Sequence, residues 1–296
     1  MKAIGRPQHM VTRFAPSPTG RLHIGHAWSA LMAYDAARMS GGAFRLRIED
    51  IDGARSREEH VSGIVEDMAW LGIDWDGDVV RQSERLALYR DALDKLKAMG
   101  LVYPCFCTRA EIAAEIAASA FAPHGPDGAR YPGTCRGLST QERAGRMVAE
   151  PHAWRIDMEK ASAAAGPLHW IDEALGRIEA DPGAAGDVVL ARKDAPTSYH
   201  LAATVDDADM GVTFILRGRD LMAATDIHRL LQALLMLPVP LYRHHSLLVG
   251  ADGKRLAKRS GGIAIAEFRE LGVDPQQLAR DLRAGVFPVG ISLAGS

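Results

Sequence analysis

A doubly wound α/β fold, with helices on both faces of a parallel sheet, is what the sequence predicts, on three observations. A short strand at Val11 to Ala15 breaks at the turn Pro16-Ser17-Pro18-Thr19-Gly20 and feeds a helix from His23 to Met39. Strand and helix periods then alternate as far as Met99. Apolar runs at Val188 to Leu190 and Gly211 to Leu216 return downstream as buried strands, and a helix follows at Thr225 to Leu237.

Each element has its own signature. The first helix stops at Ser40-Gly41-Gly42, where glycine permits the turn. Phe44, Leu46 and Ile48 alternate with Arg45, Arg47 and Glu49, which gives a strand with one apolar and one polar face, ending in acids. Helices follow at about Arg57 to Leu71 and Ser83 to Met99, the second carrying Leu86, Tyr89, Leu93 and Leu96 at helical spacing. In the later helix Ile227, Leu230, Leu231 and Leu234 share a face.

From Cys105 the rhythm shortens, with strand-like segments at Trp154 to Met158 and His169 to Ile178 and a loop without periodicity at Ala117 to Ala129. The expected division is residues 1–104 as the first half of the sheet domain, 105–183 as an insertion, 184–259 as the second half, and 260–296 as a short helical segment. Its helices are expected at about Ala264 to Leu271 and Pro275 to Ala284.

The composition excludes several classes. No apolar run approaches the ~18 residues of a membrane span, and no charged-then-apolar leader opens the chain, so a cytoplasmic protein without a membrane partner is expected. A net charge of -2 advertises no polyanion, so any RNA contact must use a local patch. The three cysteines are too few and too odd in number for a disulfide framework.

Two motifs carry chemistry. In Pro16 to His26, two histidines at i and i+3 fall in the first helical turn, where backbone N–H groups and the helix dipole attract anions such as a polyphosphate. Gly25 between them lets a ligand lie against the backbone. Far downstream, Lys254-Arg255-Leu256-Ala257-Lys258-Arg259 follows a glycine-rich turn, and its four cations can close over a triphosphate and steady a leaving pyrophosphate. A third pattern is Cys105-Phe106-Cys107 with Cys135, three thiolates for a tetrahedral zinc that needs one more ligand.

RFAPSPTGRLHIGH near the start, RIEDID at Arg47 to Asp52, LGIDWDG at Leu71 to Gly77, YHLA at Tyr199 to Ala202, GVTFILRGRDL at Gly211 to Leu221 and DGKRLAKR at Asp252 to Arg259 together resemble the catalytic domain of a class I glutamyl-tRNA synthetase, over residues 11 to about 260. The resemblance implies a Rossmann-like core. Ala15-Pro16-Ser17-Pro18 differs from the sister glutamine enzymes and points to glutamate. The implied glutamate pocket is Arg13, Ala15, Ser17, Glu49, Tyr199 and Arg217; two arginines suit the carboxylates of the substrate and a glutamate suits its ammonium. ATP would meet Thr19, His23, Gly25, His26, Arg255 and Lys258, with Mg²⁺, and His23, His26 and Lys258 would be catalytic.

For the metal the resemblance implies Tyr131 as fourth ligand to a structural zinc, with His124 as the alternative. The family usually has serine where this chain has Ala257 and lysine where it has Arg255, so turnover is expected to be modest. Residues 260–296 are too few for the family's anticodon-reading portion, which makes the chain similar to truncated paralogues that place glutamate on the queuosine base of tRNA(Asp). L-glutamate, ATP and that tRNA are the expected partners of a monomer. A fragment charging a tRNA 3′ end, a small-molecule adenylate-forming enzyme and a silent RNA-binding paralogue are the alternatives.

Overall fold

The computed structural model describes residues 8–112, 124–125, 128–254, 256 and 263–294. Strand β1 (Thr12–Phe14) pairs in parallel with β2 (Phe44–Ile48), and β2 with β3 (Val80–Arg81). Helices α1 (Ile24–Met39), α2 (Glu58–Trp70) and α3 (Leu86–Ala98) connect them and lead onward. Phe44, Leu46 and Ile48 are fully buried, as the alternation of β2 requires.

The chain next builds a three-stranded antiparallel sheet, in the order β10 (Val189–Ala191), β7 (Ala153–Ile156), β4 (Val102–Cys105). In the stretch expected to be irregular, β5 (His124–Gly125) pairs antiparallel with β6 (Gly128–Ala129). The remainder of that loop lies outside the described residues. Between β6 and β7 lies α4 (Thr140–Ala149), whose capping box joins Ser139 to Glu142; α5 (Met158–Ala165) follows β7.

The expected single strand at His169 to Ile178 is a hairpin, β8 (His169–Asp172) with β9 (Gly176–Glu179). Asp172 forces the turn by accepting from the backbone N–H groups of Ala174 and Leu175 at 2.9 and 3.1 Å. This hairpin does not join the three-stranded sheet. It extends a sheet in the order β11 (Phe214–Gly218), β12 (Leu241–His245), β8, β9, with parallel pairing from β11 to β8. Helices α6 (Tyr199–Asp209) and α7 (Ala224–Leu234) flank β11 in sequence.

The edges of the two parallel units meet where Thr213 and Phe214 donate to the carbonyl of Val11 at 2.9 and 3.1 Å. The strand order therefore runs β3-β2-β1 and onward to β11-β12, with the direction of winding reversing between β1 and β11. One large apolar cluster joins α1, α2, β1 and β2 to Phe214 and Leu216; another joins α3 to the inner faces of α5, α6 and α7. Near the end of the chain α8 (Ile265–Glu270) and α9 (Pro275–Arg283) pack on the first cluster. Strand β14 (Ser292–Leu293) pairs with β13 (Leu248–Val249) just before the basic motif. No helix among the described residues is long and apolar enough to cross a membrane.

Candidate active site and metal centre

A cleft of about 470 Å³ opens at the carboxyl ends of β1 and β11, at the reversal of winding, where doubly wound sheets place their ligands. Arg13, Ala15, Ser17, Glu49, Tyr199 and Arg217 line it, and so do Thr19, His23, Gly25 and His26. The fold thus brings together every sequence-expected glutamate residue and four of the six expected around ATP. Arg255, Ala257 and Lys258 lie outside the described residues; Leu256 between them is buried and reaches the cleft.

His23 is the N-cap of α1. Its Nδ1 accepts from Gly25 N–H at 3.1 Å, and the Nδ1 of His26 accepts from His23 N–H at 3.1 Å, forming a capping box made of two imidazoles. The N–H of Gly25, expected to face an anion, is therefore taken up by His23. Both rings carry their N–H on Nε2 in this arrangement, with centroids 3.8 Å apart. A Cβ on Gly25 would come within 3.1 Å of the His23 ring.

The end of the cleft around Arg13 and Glu49 is built from ion pairs that the sequence reading missed. Asp207 of α6 accepts from Arg13 Nε at 3.0 Å and from Arg47 Nη1 at 2.6 Å. Arg47, fully buried, also donates Nη2 to Glu49 at 3.1 Å. Neighbouring Asp206 accepts from Gln82, Arg85 and Tyr89. Burial pushes the Asp207 carboxyl up, and Arg13 and Arg47 more than offset it, so it is held below its ordinary value. Burial leaves the Glu49 carboxyl raised despite Arg47 and Arg13. Adjacent acids directly after the apolar run Leu201, Ala202, Ala203 and Val205 of the same helix were the signal for Asp206 and Asp207.

The other acids after β2 are structural. Asp50 accepts from the N–H and hydroxyl of Ser83 at 2.8 and 2.7 Å, and Asp52 pairs with Arg55 and Arg192. Asp76 of the LGIDWDG motif accepts from Phe44 N–H and Arg38, tying α1 to β2.

Arg217 is different. Its guanidinium donates to Thr225 Oγ1 at 2.8 Å, to His244 Nε2 and Tyr199 OH at 3.3 Å, and meets His228 Nδ1 at 3.4 Å. All four partners are neutral groups. Burial and the nearby Arg217 charge push His244 down to about 4 and His228 well below its ordinary value. Among the described residues this buried arginine has no carboxylate partner, although Arg13 and Arg47 have theirs.

The cysteines form a separate centre at the end of β4. The Sγ atoms of Cys105, Cys107 and Cys135 lie within 4.8 Å of one another, those of Cys107 and Cys135 at 3.4 Å. Tyr131 OH is 3.4 Å from Cys107 Sγ and accepts from Cys135 N–H at 2.9 Å. Three soft sulfur donors and a phenol oxygen on one point are a set that could hold a metal ion. His124 is in β5, and its side chain is outside the described residues.

Fold and cleft define a class I synthetase core. Residues 9–292 match the family model for tRNA synthetases class I (E and Q), catalytic domain, and the chain belongs to that family, as a ligase. It is 50% identical over 281 residues to a Glutamyl-Q tRNA(Asp) synthetase from Rhodobacter capsulatus, covering 92% of this chain and 99% of that relative. Another Glutamyl-Q tRNA(Asp) synthetase, from Symbiobacterium thermophilum, is 45% identical, covering 91% and 84%. Among solved structures it is similar to a glutamate tRNA ligase from Elizabethkingia meningosepticum in complex with its amino acid, with a TM-score of 0.78 and 28% identity. That match covers 93% of this chain and 60% of the ligase, so the chain spans about three fifths of it.

Proposed function

We propose that the chain activates L-glutamate with ATP and transfers it to the queuosine base of tRNA(Asp). The observation that carries the first half is the charge layout of the cleft: Arg217 held by neutral acceptors at one place, Glu49 and Arg13 at another. A buried guanidinium without a counter-ion is a receptor for a ligand carboxylate, and glutamate offers two carboxylates together with an ammonium for Glu49. The second half is supported by the names of the relatives that the chain matches over most of their length.

In the first step an oxygen of the glutamate α-carboxylate attacks the ATP α-phosphorus; the bond to the bridging oxygen breaks, and pyrophosphate leaves with that electron pair. Positioning and charge stabilisation supply the rate. His23 and His26 present Nε2–H to the phosphates, and Lys258 and Arg255 neutralise the leaving group, with Mg²⁺ accompanying ATP. In the second step a hydroxyl of the queuosine ring attacks the mixed anhydride, releasing AMP and forming an ester. Cys105, Cys107, Cys135 and Tyr131 would hold a structural zinc, which would tie down the end of β4 and take no part in the reaction. The protein works as a cytoplasmic monomer.

Labelled glutamate, ATP and tRNA(Asp) with and without queuosine test this reading. Label should enter only queuosine-containing tRNA and should survive periodate oxidation of the 3′ ribose. Equal labelling of queuosine-free tRNA, or transfer to a 3′ end, would instead identify a conventional charging enzyme.

A further inference from the structure

The strand register sets Arg217 of β11 opposite His244 of β12, and Asp172 of β8 opposite Tyr242, two residues before His244. Asp172 Oδ2 is 3.0 Å from His244 N and 2.9 Å from His244 Nδ1, and both Asp172 and His244 side chains are fully buried. A carboxylate oxygen can only accept, so the His244 ring proton must be on Nδ1. Nε2 is then a lone pair, and it faces Arg217 Nε at 3.3 Å and the Thr225 hydroxyl at 3.1 Å. Thr225 completes the chain by accepting from Arg217 Nη2 at 2.8 Å.

We infer that Asp172 is a positioning residue of the substrate pocket: by fixing the His244 tautomer it aims the Arg217 guanidinium at the substrate carboxylate. This rests on the reading of Arg217 as a carboxylate receptor. The opposite tautomer would set Nε2–H against Arg217 Nε–H, two donors face to face in a buried site. Neutrality matters equally, because a cationic imidazole there would repel the guanidinium; burial and Arg217 itself keep His244 neutral. Among the described residues the Asp172 side chain hydrogen-bonds only to His244 and to the Ala174–Leu175 turn, none of which lines the cleft, so its hydrogen-bonded route to the ligand runs through His244 and Arg217.

The test has two arms. In Asp172→Asn the amide keeps its oxygen for the Ala174 and Leu175 turn and presents NH₂ to His244, which gives up the bond from the His244 backbone N–H and moves the ring proton to Nε2. Nitrogen-15 NMR of the ligand-free protein should show His244 protonated on Nδ1 in the wild type and on Nε2 in the variant, and calorimetry should show glutamate binding weakened about 10-fold or more, ~1.4 kcal/mol. As a control that leaves the Asp172 turn intact, His244→Gln can still donate to Asp172 and accept from Arg217; it should bind glutamate within about 3-fold of wild type, while His244→Leu should lose it. A wild-type His244 protonated on Nε2, or a folded Asp172→Asn with unchanged affinity, overturns the inference. Wild-type protein that binds no glutamate sinks the functional reading instead, and the tautomer measurement still judges the relay.

Discussion

Arg13 donates Nε to Asp207 Oδ1 at 3.0 Å, with both side chains buried, and the same oxygen accepts from Arg47. The pairing explains how an arginine on a three-residue strand is held rigid at the mouth of the cleft. Truncating one partner of a buried pair is costly when it strands the other charge. Arg13→Ala leaves Asp207 with Arg47, so the variant should fold, whereas Arg47→Met leaves Asp207 with Arg13 and Asp206 with Arg85 but takes the ion-pair partner from Glu49, and should lose about 3–5 kcal/mol of stability. Chemical denaturation of the two variants side by side checks the difference.

Adenylate formation should fall at least ~10²-fold, ~2.7 kcal/mol, in Arg13→Ala and in Glu49→Ala, since each removes one end of the proposed glutamate clamp. Pyrophosphate exchange reads this directly. Near-wild-type exchange in either variant removes it from the pocket.

Lys258→Ala should lower kcat more than it raises KM for glutamate, because a charge on the leaving pyrophosphate acts in the transition state. Ala257→Ser should leave turnover equal or higher. A pure KM effect at Lys258 would place that side chain elsewhere than on the phosphates.

Protein prepared without chelator should contain about one zinc per chain by elemental analysis, and Cys105→Ser should lose it and loosen the segment after β4 while pyrophosphate exchange persists. Tyr131→Phe, which keeps the ring under the Arg155 guanidinium and removes only the hydroxyl, should weaken metal retention without unfolding.

Acid should destabilise the protein well above the ordinary carboxylate range. His200 and His244 are depressed to about 4, burial being the first cause in each, and burial also holds His228 well below its ordinary value. In the unfolded chain they titrate near 6.5, so below that pH the unfolded state binds more protons and stability falls as pH drops towards 4. His200 and His244 each account for up to about 3 kcal/mol. Stability measured from pH 7 to 4 should show this slope, and His200→Asn should flatten it.

Asp67 has the reverse sign. Burial raises its carboxyl to about 6, so the native state binds the extra proton and stability declines as pH rises through that value. Asp67→Asn should therefore raise the melting temperature more at pH 8 than at pH 5.

Much of this protein was legible from local pattern. The period-2 alternation of Phe44, Leu46 and Ile48, the Pro16 to Gly20 turn and the stop at Ser40-Gly41-Gly42 fix β1, α1 and β2, because propensity and turn chemistry act within a few residues. The ten cleft residues expected from motifs do converge, and the cysteine spacing does bring three sulfurs together. What local pattern could not reveal depends on partners far away in sequence. Strand β12 reads Leu-Tyr-Arg-His-His, a poor candidate for the middle of a sheet, and is stable there only because Gln232 and Asp172 satisfy Tyr242 and His244. The hairpin β8–β9 fell in the stretch read as an insertion, yet its pairing with β12 brings Asp172 to His244, which in turn meets Arg217. Arg47 looked like the polar face of a strand and is fully buried, because Asp206 and Asp207, some 160 positions later, turn that face into an ion-pair core. Burial of charge is settled by what lies opposite, and only the tertiary structure decides that.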